Sequence, residues 1–278
     1  MKKFFVVFAF LLLISLTFPL YACEILGASF SKPVKISPLL TKFWTYGEKN
    51  PHGWGFATIH DGTVFLFKSP ANAAHSQFAA NMFRNSQYDN FIAHVRNASV
   101  GKTSYHNAHP FTRTLNNREY VMLHNGTLEN DFRSALRSKN FSPVGQTDSE
   151  QAFCYVMDQI EKQKLERMDK PEFQALFKIF QKINYFGKFN CMLEVGDKLI
   201  VYQDLNRHNN LRFIKLHDNS KCLEQFRKDI AFQLPEDCEG YLFTARPLSA
   251  SGNWTELEPG QMLVLEKGKI IFNQLPQT

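Results

Sequence analysis

Hydrophobic and polar residues alternate along "TVFLFKS" (63–69), the period of a half-buried strand. "NFIAHVR" (90–96) reads the same way. "REYVMLHNGTL" (118–128) is a strand that runs into Asn125-Gly126, a dipeptide that predicts a hairpin turn. The period then lengthens. "TDSEQAFCYVMDQIEKQ" (147–163) predicts a helix, with Thr147 and Glu150 spaced as a capping box and Ala152, Tyr155, Val156 and Ile160 on one apolar face. "PEFQALFKIFQKI" (171–183) predicts a second, with Phe173, Leu176, Phe177 and Phe180 on one side. Strands return at "FNCMLEVGDKLIVYQD", "GYLFTARPL" and "GQMLVLEKGKIIF", the first and last with glycine at a turn. Many strands with two or three long helices predict an α+β layered domain. No internal repeat, low-complexity linker or domain boundary interrupts 23–278, which reads as a single domain.

The first 22 residues follow a different pattern. Lys2-Lys3 precedes an apolar run from Phe4 to Ile14, and Pro19-Leu20-Tyr21-Ala22 forms a cleavage region. Residues 1–22 therefore read as a secretory signal, and the protein as exported, either periplasmic or secreted. Two alternatives stay open. Uncharged residues run from Phe4 to Cys23, barely enough to span a bilayer if retained. Leu20-Tyr21-Ala22-Cys23 also resembles a lipoprotein box, with Tyr21 out of place, and lipidation of Cys23 would anchor the protein to a membrane.

Composition narrows the partners. The chain is 44% hydrophobic and 14% aromatic, enough to bury a core. Its net charge is +6, of which Lys2 and Lys3 supply two, and the remaining basic residues are scattered. That describes an ordinary basic surface and no nucleic-acid partner. In an exported chain Cys154, Cys191, Cys222 and Cys238 could form two disulfides, with Cys222 and Cys238 the best pair because they close a short loop. Cys154 lies in the apolar helical stretch and reads as a packed thiol. No cysteine spacing fits a zinc site.

Five short segments carry chemistry: "CEILGAS" (23–29), "NPHGWGFA" (50–57), "HVRNASVG" (94–101) with "HPFTR" (109–113), "HNGTL" (124–128) and "TDSE" (147–150). In this order and spacing the chain resembles the class II glutamine amidotransferases, which use an N-terminal cysteine nucleophile. The likeness is to the YafJ-type and ergothioneine-pathway γ-glutamyl hydrolase group. It continues through "FSPVGQTDSEQAFCYVM", "FNCML" and "TARPLSASGNWTELEPG" and so covers nearly all of residues 23–278. The resemblance implies a four-layer α/β/β/α sandwich of the N-terminal nucleophile hydrolase type, a small-molecule glutamine or γ-glutamyl substrate, no cofactor and no metal.

Each segment also has a chemical reason. Cys23, as a first residue, would supply both a sulfur nucleophile and an α-amine base. Arg96 ends a strand; alone it reads as a salt-bridge partner, but in its motif the resemblance implies that it holds a substrate carboxylate, with Asn97 and Ser99 helping from the following loop. Asn125 and Gly126 are a turn by local pattern and an oxyanion hole by resemblance. Asp148 suits the first turn of a helix, and the resemblance gives it the substrate α-amino group. Trp54 reads as both core and pocket wall. His52 stands where the family commonly has an acid, a departure that falls on the pocket rim. His94, His109 and His124 read as hydrogen-bonded structural residues. The expected activity is cleavage of a γ-amide through a cysteine thioester. The alternative, with Cys23 lipidated, is a catalytically silent binder of glutamine-like ligands.

Overall fold

A computed structural model describes residues 23–129, 131–217 and 223–277. The segment 1–22 read as a signal, and Cys222 of the expected disulfide, lie outside the described residues. The first described elements are β1 (Glu24–Lys35), α1 (Ser37–Trp44), β2 (Trp54–His60), β3 (Thr63–Ser69), α2 (Gln77–Met82) and β4 (Gln87–Val95). The chain continues through β5 (Phe111–Leu115), β6 (Arg118–Leu128), α3 (Phe132–Ala135), α4 (Asp148–Gln163) and α5 (Lys170–Asn184). It ends with β7 (Gly187–Val195), β8 (Lys198–Tyr202), β9 (Arg212–His217), α6 (Glu224–Ile230), β10 (Glu239–Thr244), β11 (Thr255–Glu256), β12 (Met262–Glu266) and β13 (Lys269–Gln274).

The strands form two antiparallel sheets, ordered β11-β9-β10-β1-β4-β2-β3 and β13-β12-β8-β7-β6-β5. Alternation along each strand sorts its side chains to two faces. On β1, Ile25 points between the sheets, where it joins Ile92, Val121, Leu123, Met192 and Leu199. Leu26, Ala28 and Phe30 point the other way, against Leu40 and Phe43 of α1 and Phe226 of α6. On the far side of the second sheet, Phe153, Val156 and Ile160 of α4 and Leu176 and Phe180 of α5 cover Tyr120, Met122, Phe189 and Leu193. The result is helix, sheet, sheet, helix, the four-layer sandwich expected. The sheets press together at Gly27, where a Cβ would lie 2.6 Å from Met192 Sδ.

Three local readings change. Asn125-Gly126 is not a hairpin turn: β6 runs straight through it, with Asn125 opposite Asn190 and Gly126 opposite Phe189 on β7. Pairing with a long neighbour overrides the local turn preference. Only half of the capping box forms. Thr147 Oγ1 accepts from the Glu150 N–H at 3.1 Å, while the Glu150 carboxylate accepts from Gly145 N–H at 2.6 Å and Arg113 Nη2 at 2.7 Å; a charged donor outcompetes the cap. Cys154 and Cys191 are buried free thiols, which suits the packed role given to Cys154 and takes both out of the suggested two-disulfide scheme. Among the described residues no helix is long and apolar enough to cross a membrane.

A buried polar contact helps tie the two sheets together. Glu194 on β7 is fully buried and its Oε1 accepts from the Ile59 N–H on β2 at 2.9 Å. Burial, with Asp89 adding repulsion, pushes its pKa up to about 8. The folded protein thus holds a proton that the unfolded chain, near 4.5, has released. Glu194 contributes its full stability below about pH 4.5, and that contribution is lost as pH rises through about 8. Gln keeps the acceptor and cannot ionise. Glu194→Gln should leave stability nearly unchanged at pH 5 and raise it by a few kcal/mol at pH 8.5, read by urea unfolding at both pH values. An equal change at both would reject the assignment.

Candidate active site

Strand register assembles the site. Glu24 of β1 pairs with Val95 of β4, so Cys23, one residue before, lies beside Arg96 and Asn97, just past the end of β4. The Cys23 thiol meets the main chain there: Sγ–H donates to Asn97 O at 3.2 Å, and Asn97 N–H donates to Sγ at 3.1 Å. The Cys23 carbonyl accepts from Asn125 Nδ2 at 2.6 Å and from Asn209 Nδ2 at 3.2 Å. Burial pushes the thiol up to about 11, against the smaller pull of the Asn97 N–H and the Arg96 charge.

Arg96 is buried. Its Nη2 donates to Val100 O at 2.6 Å and Gly101 O at 3.3 Å, while Nη1 has no partner. Burial lowers its pKa, and Cys23 and Asp148 oppose that shift. Asp148 sits at the first position of α4, where a carboxylate favours the positive end of the helix. Its Oδ2 accepts from the Leu128 N–H at 2.7 Å. Ser99 Oγ pairs with Thr127 Oγ1 at 3.2 Å. Cys23, Arg96, Asn97, Ser99, Gly126 and Asp148 line one cavity.

Gly126 is required by space. A Cβ there would fall 2.0 Å from Lys188 O and 2.7 Å from His124 Nε2. Asn125, one residue before Gly126 on β6, is buried and does not itself line the cavity. An Asn amide carries two N–H groups; one is taken by the Cys23 carbonyl, and the second is left for another acceptor.

Trp54 does not join the cavity. It lies on the opposite face of its sheet, fully buried against Trp44 at 5.1 Å and Phe78 at 6.1 Å between ring centroids. Strand alternation puts Gly55, not Trp54, on the side facing the second sheet, so the wall reading gives way to the core reading.

The three histidines divide. His124 is hydrogen-bonded as expected: Nε2 donates to Lys188 O at 2.9 Å, which leaves Nδ1 to accept from Ser149 Oγ at 2.8 Å. It thereby ties β6 to α4 and β7. His94 and His109 instead stack, 4.3 Å between centroids, and none of their four ring nitrogens reaches a protein partner. Burial pushes His94 down to about 3 and His109 well below the usual range, so both are neutral. Among the described residues no cluster of three or more His, Cys, Asp or Glu is placed to hold a metal ion.

Sequence reading missed Asn209. It lies in the loop after β8 with a left-handed φ of 46°. Asp204 and Asn190 hold that loop: Asp204 Oδ1 accepts from the His208 N–H at 3.0 Å, and Asn190 Nδ2 donates to His208 O at 2.6 Å. The Asn-rich run 206–210 signals a turn, but nothing local says that it reaches Cys23.

Residues 22–278 match the family model for class-II glutamine amidotransferases. Protein MJ1515 of Methanocaldococcus jannaschii, itself uncharacterized, is 34% identical over 90% of this chain and 71% of its own. YafJ of Escherichia coli, which carries the name of a glutamine amidotransferase, is 28% identical over 86% of this chain and 95% of its own. Among solved structures, a "predicted glutamine amidotransferase" from Pseudomonas aeruginosa superposes with a TM-score of 0.65 at 22% identity, over 90% of this chain and 100% of that one. The glutamine phosphoribosylpyrophosphate amidotransferase of B. subtilis shares the fold, with a TM-score of 0.63 at 16% identity, over 91% of this chain and 49% of that one. The order of its segments, its four layers and this match along nearly its whole described length place the chain in the class II glutamine amidotransferase family.

Proposed function

We propose that the protein is an exported amidohydrolase that cleaves the γ-amide of glutamine or of a γ-glutamyl compound through a Cys23 thioester. The observation that carries this is the cavity itself. A nucleophile, a buried guanidinium with one free Nη1 and a helix-first-turn carboxylate face the same small space. An α-amino acid head presents the complementary charges, its carboxylate to Arg96 and its ammonium to Asp148, which leaves the γ-carbonyl for the sulfur.

A thiol pushed up to about 11 stays protonated at neutral pH, so the sulfur needs a base as it attacks. The α-amine of a chain that starts at Cys23 suits this role, with an ordinary pKa of about 7.7–8.0. It takes the thiol proton while the C–S bond forms, and the second N–H of Asn125 with the Gly126 N–H holds the oxyanion. The amine then carries that proton to the departing nitrogen as the C–N bond breaks. Water next cleaves the thioester, giving glutamate and the free thiol. Removal of 1–22 would free that amine, so export and activation would be one event.

The test is to supply protein whose first residue is Cys23 with glutamine and with a panel of γ-glutamyl amides and peptides. Glutamate release is expected, with a γ-glutamyl adduct on Cys23 seen by intact mass in quenched reactions. No glutamate from any member of the panel would overturn the reading.

A further inference from the structure

The nucleophile's sulfur is hydrogen-bonded on both sides to the main chain of Asn97. What fixes Asn97 is therefore a lever on the sulfur. His52 occupies that place. Its own N–H donates to Arg96 O at 3.0 Å. Its Nδ1 accepts from the Ala98 N–H at 3.1 Å; Asn97 Oδ1, itself an acceptor, lies 3.2 Å from the same nitrogen and forms no hydrogen bond with it in that tautomer. One residue thus grips the main chain on both sides of Asn97, with its backbone N–H on the Arg96 side and its imidazole on the Ala98 side. An N–H donating to Nδ1 requires that nitrogen to be unprotonated, so the ring carries its proton on Nε2.

We propose that His52 is a positioning residue for the reaction. As a hydrogen-bond acceptor at Nδ1 it fixes the 96–98 segment, and through the Asn97 N–H and carbonyl it fixes the direction of Cys23 Sγ. This rests on the reading of Cys23 as nucleophile. What matters is an acceptor at the Nδ1 position, not an imidazole. A sulfur displaced by even an ångström from its line of attack loses on the order of 10²-fold in rate.

The test compares His52→Ala, His52→Asn and His52→Gln, each in protein starting at Cys23 and each checked for an unchanged melting temperature. Asn places its amide oxygen where Nδ1 sits; Gln reaches the Nε2 position instead. His52→Ala and His52→Gln should lower kcat about 10- to 100-fold with KM within about threefold. His52→Asn should restore most of kcat. Alkylation of Cys23 by iodoacetamide should slow in the same order, because the Asn97 N–H no longer supports the developing thiolate. Wild-type kcat in a folded His52→Ala protein, or an Asn variant no better than the Gln variant, would overturn the inference. The alkylation series needs no substrate. If the wild-type protein cleaves no γ-glutamyl compound, the functional reading fails while the coupling of His52 to Cys23 is still decided.

Discussion

Cys23→Ala, in protein beginning at residue 23, is expected to reduce glutamate release by a factor of at least about 10³, because loss of a covalent nucleophile removes the chemical route itself. The fold should survive. The hydrogen bonds of the sulfur to another residue are, among the described residues, to the main chain of Asn97, and the Cys23 carbonyl, with its bonds to Asn125 and Asn209, is untouched. Binding of glutamine should survive too, since Arg96 and Asp148 are retained. Calorimetry on the variant should therefore give an affinity close to the wild-type KM while turnover is lost. A variant that binds but does not turn over separates the enzyme from a silent binder, in which alanine would change neither quantity. Full activity in Cys23→Ala would falsify the thioester mechanism. A companion measurement addresses processing: protein recovered from its native host should show an unmodified Cys23 as its first residue, not a lipid-sized mass increment.

How much of this was legible in the sequence depends on whether the signal was local. The two long helices were, because their apolar faces repeat at 3.6 residues and each faces one sheet. The strand pairs around Gly196 and Gly268 were too, since those turns demand a left-handed φ, 58° and 73° here, that glycine adopts freely. Asn125-Gly126 misled because its local preference is for a turn, whereas pairing with Phe189 and Asn190 holds it in the ladder. Trp54 misled because its neighbours suggest a cavity, while strand parity alone decides which face it takes. The candidate site was legible as an ordered set of motifs. Its supports were not: Asn209 meets the Cys23 carbonyl across 186 residues, and the grip of His52 on the 96–98 segment appears only once β2 and β4 are side by side. The unpartnered stack of His94 and His109 has no counterpart in the pattern of the sequence.

Asn125→Ala should have the second-largest effect, and of a different kind. Removing one preorganised oxyanion donor typically costs about 10²–10³ in kcat. The substrate head would still meet Arg96 and Asp148, so KM should move little. The side chain also has a structural bond, to the Cys23 carbonyl at 2.6 Å. Losing it leaves that carbonyl with the longer Asn209 contact at 3.2 Å, a stability cost of about 1 kcal/mol. Asn125→Asp, which matches Asn in shape but cannot donate when ionised, removes both bonds at once. Its carboxylate would face the Cys23 carbonyl and the developing oxyanion with acceptors on both sides, so kcat should fall at least as far as in the alanine variant. If Asn125 only braces the Cys23 carbonyl, kcat in the alanine variant should track the small loss of stability and recover at lower temperature. If it holds the oxyanion, the deficit in kcat should persist at every temperature at which the variant is fully folded.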